Sequence, residues 1–136
     1  MTDGKSTKEA VSLKIYESAE DYLEKILMLT ERNGEVRSID IATEMGVTKP
    51  SVSIAMKNLR EKEQITVTDA GYIYLTDAGR EIAEMIYERH EMISQGLMAL
   101  GVPEEIALED ACRIEHVISK ESFDAVKKLI QSKLHL

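Results

Sequence analysis

Three residues with metal-binding side chains, Cys112, Glu115 and His116, lie within five positions of one another. If this segment is helical, Cys112 is three residues before Glu115 and four before His116, so the side chains project from one face. A thiolate, a carboxylate and an imidazole on one face are typical of a divalent-metal site. The chain has only one cysteine and three histidines, so a cysteine and a histidine would rarely share one helix face by chance. The spacing predicts a metal site on a helix.

Further candidate ligands lie elsewhere in the chain. Asp21 and Glu24 have helical spacing, and His90 falls in a long helical segment. Each has an ordinary alternative. Asp21 matches a capping box with Ser18, Glu24 matches a solvated helix face, and His90 matches a helix-surface residue. For Cys112 the alternative is a small buried hydrophobic residue.

These residues must be positioned by helices. A first helix is expected from near Ser18 to Asn33, which precedes Gly34. The polar segment over residues 1–12 predicts a poorly ordered arm. The first ordered element is therefore expected to be the helix that carries the acidic pair.

Residues 37–62 have the pattern of two short helices joined by a glycine turn. In the first helix, Ile39 and Met45 share one apolar face before Gly46, and in the second, Thr48 is a natural N-cap. Two helices with such a turn are typical of a helix-turn-helix.

A β-hairpin is predicted directly after these helices. Residues 65–68 and 72–75 are rich in β-branched and aromatic side chains, and the turn between them contains Gly71. The hairpin would be the wing of a winged helix-turn-helix DNA-binding domain over residues 13–75.

Residues 76–136 have helical periodicity throughout. We predict a long helix capped by Thr76, a helix over residues 104–118, and a last helix that starts at Ser119 or Ser122. The expected fold is therefore mainly α, with an N-terminal winged helix-turn-helix followed by an all-helical metal-binding and dimerisation domain.

The formal net charge of −8 is unevenly distributed. Residues 48–63 carry four Lys or Arg against two Glu, whereas residues 77–119 carry three Arg against ten acidic residues. The acidity therefore does not exclude DNA, because the second short helix is locally basic and rich in Ser and Thr. The alternative is a solvated helix face. The candidate DNA contacts are Arg37, Thr48, Lys49, Pro50, Ser51, Ser53, Lys57 and Arg60.

Several motifs together resemble a known family. They are the Ser-Ala-Glu-Asp-Tyr-Leu-Glu run over residues 18–24, Glu88-Arg-His90, and the Asp-Ala-Cys-Arg-Ile-Glu-His-Val-Ile-Ser run over residues 110–119. With the winged helix-turn-helix, they resemble the diphtheria-toxin-repressor and manganese-transport-regulator family of bacterial metal-dependent repressors. The resemblance implies a homodimer that binds a palindromic operator when Fe(II) or Mn(II) is present and represses metal-uptake genes.

The resemblance also assigns ligands position by position, and the result is a hybrid. Asp21 and Glu24 match the manganese branch, whereas Cys112 matches the iron branch. Ser94 and Leu108 stand where the iron branch has ancillary ligands, so an ancillary site of that kind is not expected. The implied ligand set is Asp21, Glu24, His90, Cys112, Glu115 and His116.

The metal is expected to be Mn(II) or Fe(II), with one or two ions per subunit. Zn(II), Co(II) or Ni(II) could bind in vitro, following the Irving–Williams order. In this interpretation the metal occupies a site between the DNA-binding and dimerisation domains and acts as an allosteric ligand. Ile54 stands where both branches have a polar residue, so the operator sequence cannot be transferred.

Two other function classes are a metalloenzyme and a metal-independent regulator. A metalloenzyme is disfavoured, because His90-Glu91-Met92-Ile93-Ser94 lacks the second histidine of a zinc-protease motif. Neither a Gly-rich phosphate loop nor a nucleophile elbow is found. A metal-independent winged-helix regulator, whose acidic half binds another protein, stays open. We predict a protein that is not an enzyme and has no small-molecule substrate.

The composition of the chain indicates its cellular compartment. The longest unbroken apolar runs have four residues, far short of the roughly 18 that suggest a membrane span. The first ten residues are polar and no apolar signal segment follows them. A single cysteine excludes an internal disulfide and fits a reducing compartment. We therefore predict a cytoplasmic protein without a membrane partner.

Overall fold

The computed structural model describes the backbone of residues 4–134 and the side chains of residues 19–134. It confirms a mainly α fold with a small hairpin, and the chain divides into two compact units, Met1–Glu84 and Met85–Leu136. The elements are α1 (Gly4–Asn33), α2 (Ser38–Met45), α3 (Lys49–Glu61), β1 (Ile65–Val67), β2 (Ile73–Leu75), α4 (Asp77–Ala99), α5 (Glu104–Val117) and α6 (Lys120–Leu134).

The first helix starts earlier than its sequence pattern suggested. α1 begins at Gly4, so the helix start predicted near Ser18 is wrong, while the poorly ordered arm stays a prediction. The sequence from Lys5 to Asn33 contains neither Gly nor Pro, so nothing in the backbone chemistry ends the helix there. Met1–Asp3 and the predicted capping side chain of Ser18 lie outside the described part of the chain.

The first unit packs its helices around one apolar core. α1 contacts α2, α3 and β2, and α3 also contacts β1. Each short helix buries one stripe and exposes the other, as an amphipathic helix must. The most buried large side chains of this unit are Leu23, Ile26, Leu29, Val36, Ile41, Val52, Leu59, Ile65 and Ile73.

The predicted wing is present as an antiparallel hairpin. β1 pairs with β2 so that Ile65 faces Leu75 and Val67 faces Ile73. The backbone N–H of Ile73 also donates to the carbonyl of Val36 at 2.8 Å. The hairpin is therefore tied to the segment that precedes α2, which fixes the wing beside the helix-turn-helix.

The start of α4 is held in the first unit. The Thr76 hydroxyl donates to the Glu63 carbonyl at 2.7 Å and accepts from the Gly79 N–H at 3.2 Å, which confirms Thr76 as the cap. A Cβ on Gly79 would meet the Gln64 carbonyl oxygen at 1.9 Å, so only glycine allows this approach. The division between the two compact units accordingly falls inside α4, after Glu84, and the domain boundary at 75/76 stays a prediction.

The second unit is a cluster of three helices. Ile93, Ala111 and Phe123, from α4, α5 and α6, form its buried core. α4 and α6 approach closely at Gly96, where a Cβ would lie 2.7 Å from the Ile130 Cδ1. None of the described helices has the length and apolar character that a membrane crossing requires. The unit therefore holds α5, which bears the cysteine motif, against α4, which bears His90.

Candidate metal centre and nucleic-acid interface

A cluster of three metal-binding side chains lies where α5 packs on α4. The Glu115 Oε2 is 2.9 Å from the His90 Nδ1, and the Cys112 Sγ is 3.8 Å from the same nitrogen. One ligand atom from each residue lies within 4.8 Å of the other two. Ligands about 2.0–2.3 Å from one divalent ion are within about 4–4.6 Å of each other, so the cluster has nearly the dimensions of a metal site.

Glu115 provides the strongest sign that these residues can hold a cation. Its side chain is fully buried, and its Oε1 accepts no hydrogen bond from any residue that the structure describes. The His116 Nε2 lies 3.5 Å from this oxygen. Burying a carboxylate oxygen without a hydrogen bond is costly, and a cation at Oε1 would offset that cost. These residues therefore fit a divalent ion.

The His90 imidazole holds a proton where a ligand needs a lone pair. Hydrogen bonding of Nδ1 to the Cys112 sulfur and to the Glu115 carboxylate raises the pKa of His90 to about 10, against the opposing effect of burial. At neutral pH the Nδ1–H therefore donates to Glu115. A metal ion and this proton would compete for the same nitrogen.

His116 lies beside Glu115 with its side chain nearly buried, at 2% exposure. Cys112, by contrast, is exposed, so the prediction that it is a small buried hydrophobic residue does not hold. The cluster thus has an accessible sulfur on one side and a buried carboxylate and imidazole on the other.

Sequence reasoning assigned no role to Arg89, which fixes the end of α5. Its Nη1 donates to the carbonyls of Glu115 at 3.1 Å and Ile118 at 2.8 Å. The guanidinium also lies 5.4 Å from the centre of the Phe123 ring. The last carbonyls of a helix lack intrahelical partners and favour a cation. Arg89 therefore anchors the last turn of α5, which carries the ligands. The sequence signal for its burial was its helical spacing from the core residues Ile86 and Ile93.

Asp21 and Glu24 belong to α1, in the first unit. Asp21 is half-buried, and Glu24 is buried, with 4% exposure. The solvated-face alternative for Glu24 is therefore wrong. Their participation in a metal site stays a prediction.

The predicted DNA contacts are all exposed, and most lie on α3. Thr48 caps this helix, because its Oγ1 accepts from the Ser51 N–H at 3.3 Å. Gly46, at φ +65°, ends α2 in the left-handed conformation that glycine adopts easily. Val52, Met56 and Leu59 turn inward. The outward face carries the predicted contacts Lys49, Pro50, Ser51, Ser53, Lys57 and Arg60.

Arg37 lies just before α2, next to the wing. Its guanidinium carbon is 4.6 Å from the centre of the Tyr72 ring, and its side chain remains exposed. Stacking on an aromatic ring restricts a flexible side chain without removing its charge. The structure thus brings a cation to the turn end of the wing, beside the helix-turn-helix.

Comparison with known families assigns both halves of the chain. A model described as "Iron dependent repressor, N-terminal DNA binding domain" matches residues 14–70. A second, described as "Iron dependent repressor, metal binding and dimerisation domain", matches residues 76–133.

Curated relatives agree with this assignment. The transcriptional regulator MntR of Escherichia coli O6:H1 is 36% identical over 115 residues, covering 85% of this chain and 74% of that protein. The HTH-type transcriptional regulator MntR of Bacillus subtilis strain 168 is 36% identical over 114 residues, covering 84% of this chain and 80% of that protein.

Solved structures show the same fold. The structure of the manganese regulator SloR matches with a TM-score of 0.75 and 29% identity over 83% of this chain. The chain spans 53% of the length of that regulator. The named relatives are transcriptional regulators, which excludes the metalloenzyme alternative, and the matched domains indicate DNA, a metal and a second copy of the chain as partners. The chain therefore belongs to the iron-dependent repressor family of metal-dependent transcriptional repressors.

Proposed function

We propose that the chain binds a palindromic operator as a homodimer when Mn(II) or Fe(II) is bound, and so represses metal-uptake genes in the cytoplasm. The buried Glu115 oxygen without a hydrogen bond, beside His90 and Cys112, is the observation that carries this proposal. The names of MntR and of the manganese regulator SloR support it.

His90, Cys112, Glu115 and His116 are the proposed ligands from the second unit. A bound divalent cation supplies positive charge to a cluster of anionic and lone-pair donors. Without it, the His90 Nδ1–H donates to the Glu115 Oε2, with 2.9 Å between the nitrogen and the oxygen. The Arg89 hydrogen bonds to the end of α5 keep the Glu115 backbone in place in either condition.

Asp21 and Glu24 are the proposed ligands from α1. Asp21 is half-buried and Glu24 is buried, which is compatible with this assignment, because a ligand to an enclosed ion is itself removed from solvent. We propose that their metal ligation couples α1 to the second unit, in a centre of one or two ions per subunit. In this account the mutual repulsion of the carboxylates disfavours DNA binding in the absence of metal.

The metal preference depends on the mixed donor set. Three carboxylates suit Mn(II) and Fe(II), and a thiolate favours softer ions. We propose Mn(II) as the physiological ion, followed by Fe(II), with Zn(II), Co(II) or Ni(II) able to bind in vitro. Replacing Cys112 by Glu should increase the preference for Mn(II) over Fe(II), and replacing Asp21 by Met should decrease it. An unchanged preference in both variants would contradict this assignment.

The exposed face of α3 is the proposed DNA-reading surface. Thr48, Ser51 and Ser53 can contact base edges or phosphates. Lys49, Pro50 and the cations Arg37, Lys57 and Arg60 complete the set, with the three cations on phosphates. Two copies of this face in a homodimer would read two half-sites one helical turn apart.

Metal-dependent DNA binding is the direct test. A duplex is selected from a randomised library with the wild-type chain and Mn(II), and its affinity is then measured by fluorescence anisotropy at constant ionic strength. We expect binding at least about tenfold tighter with Mn(II) or with anaerobic Fe(II) than with a chelator, within the usual range of allosteric coupling. Equal affinity in all three conditions would contradict the proposal.

A further inference from the structure

We propose that Ile54 is a specificity-determining residue that contacts the C5 methyl group of a thymine in the operator. The inference rests on the proposed function, and it adds a specific base contact to it. Its starting point is the exposure of Ile54, which leaves 64% of its surface accessible in the middle of α3.

The exposure of Ile54 is not a consequence of the helix's own packing. The core stripe of α3 is complete with Val52, Met56 and Leu59, which are at most 5% exposed. Ile54 points away from that stripe, at three residues from Ser51 and three from Lys57 on the outward face. A large apolar side chain therefore interrupts a face that is otherwise polar and basic.

DNA is the occupant that this face fits best. Lys57 lies one turn from Ile54, and Lys49 and Arg60 add positive charge on the same helix, against one acidic residue, Glu61; all four are exposed. Positive charge around an apolar patch complements a duplex, whose phosphates flank the groove and whose base edges form its floor.

Thymine is the base that offers an apolar partner. In the major groove each base shows hydrogen-bonding groups, and thymine alone adds a methyl group. Isoleucine has no hydrogen-bonding atom in its side chain, and its branched Cβ restricts its rotamers. Its contact with a methyl group would thus cost little conformational entropy and favour thymine over cytosine and over the purines.

Replacing thymine by deoxyuridine tests this contact, since it removes the methyl group alone. Each thymine of a duplex selected with Mn(II) is replaced in turn, and the affinities of the full-length wild-type chain and of Ile54→Ala are measured by anisotropy. For wild type, deoxyuridine at one position per half-site should weaken binding by about three- to tenfold, near the value of one buried methyl group. For Ile54→Ala the thymine and deoxyuridine duplexes should bind equally.

Ile39→Ala is the matched control, because Ile39 is an exposed isoleucine on α2, at 48% exposure. It should keep the wild-type sensitivity to deoxyuridine. Thermal unfolding should show both variants folded, since each loses an exposed side chain.

The outcomes separate the inference from the proposed function. A wild-type protein indifferent to every deoxyuridine, or an Ile54→Ala variant as sensitive as wild type, would overturn the thymine contact and leave metal-dependent DNA binding intact. Failure to enrich any duplex with Mn(II) would overturn both.

Discussion

The predicted DNA-contact face of the first unit and the metal cluster of the second unit handle charge in opposite ways. On α3 and just before α2, the cations Arg37, Lys49, Lys57 and Arg60 are all exposed. In the second unit, Glu115 is fully buried and Arg89 is 8% exposed. Exposed cations suit a large anionic partner such as DNA, whose bound counter-ions they displace. Buried charges instead require partners within the protein or a small ion that can enter. The net charge of −8 therefore describes neither of these two regions.

Glu115→Gln removes the buried charge while keeping the shape of the side chain, and it should have the largest effect. We expect Mn(II) affinity to fall by more than about 100-fold, beyond the roughly 10–100-fold typical of outer-shell partners. Isothermal calorimetry measures it. Glu109→Gln is the matched control, because Glu109 lies on the same helix with its side chain 64% exposed. Equal losses in the two variants would show that burial does not distinguish these carboxylates.

Arg89→Ala tests the buried cation. Loss of two hydrogen bonds from a charged group to carbonyls should lower the free energy of unfolding by about 2–3 kcal/mol. Arg113→Ala should change it by less than about 0.5 kcal/mol, because Arg113 is 73% exposed and pairs with Glu109 at the surface. Urea denaturation compares the two variants. Similar stability losses would contradict the anchoring role of Arg89.

Proton competition at His90 should make metal binding depend on pH. Because the pKa of His90 is raised to about 10, a proton must leave before the nitrogen can bind Mn(II). The Cys112 thiol must also be deprotonated in the complex, so Mn(II) affinity should rise at least about tenfold per pH unit between pH 6 and 8. Calorimetry in buffers of different ionisation enthalpy should detect at least about one proton released per ion. A pH-independent affinity would contradict competition at this nitrogen.

The same proton affects the stability of the metal-free protein with the opposite sign. A raised pKa means that the imidazolium stabilises the fold fully below the ordinary histidine pKa near 6.5. This contribution is lost as pH rises towards 10. Metal-free His90→Gln should accordingly lose less stability than wild type over this range.

Thr48→Ala tests the exposed region and should have the smallest effect. Loss of the N-cap hydrogen bond to the Ser51 N–H should lower the free energy of unfolding by about 1 kcal/mol. Thr43→Ala, at an exposed position of α2, should change it by less than about 0.5 kcal/mol. Chemical denaturation checks both. A Thr48→Ala protein as stable as wild type would contradict the capping role of Thr48.

Much of the fold follows from local patterns that need no long-range information. Gly46 and Thr48 mark the turn between α2 and α3, and Thr76 marks the start of α4. Ile39 shows the limit of periodicity. It was expected on the buried face of α2 but is 48% exposed, while Ile41 is fully buried. An eight-residue helix offers too few turns to fix its buried face from spacing alone.

Sequence spacing also predicts only part of the metal cluster. Cys112, Glu115 and His116 share one helix, so spacing brought them together, whereas His90 approaches from α4 through packing that only the three-dimensional structure gives. Arg89 was missed because an arginine at a core position has no short-range motif. Its role depends on the end of α5, 26 to 29 residues further along the chain.

Reciprocal coupling tests the central claim most directly. If Mn(II) at the His90, Cys112 and Glu115 cluster controls DNA binding by α3, the factor by which Mn(II) tightens the selected duplex must equal the factor by which the duplex tightens Mn(II). Anisotropy gives the first factor and calorimetry the second. We predict equal factors, each above about tenfold. A wild-type protein that binds Mn(II) and the duplex independently, with a factor of one in each direction, would contradict the account.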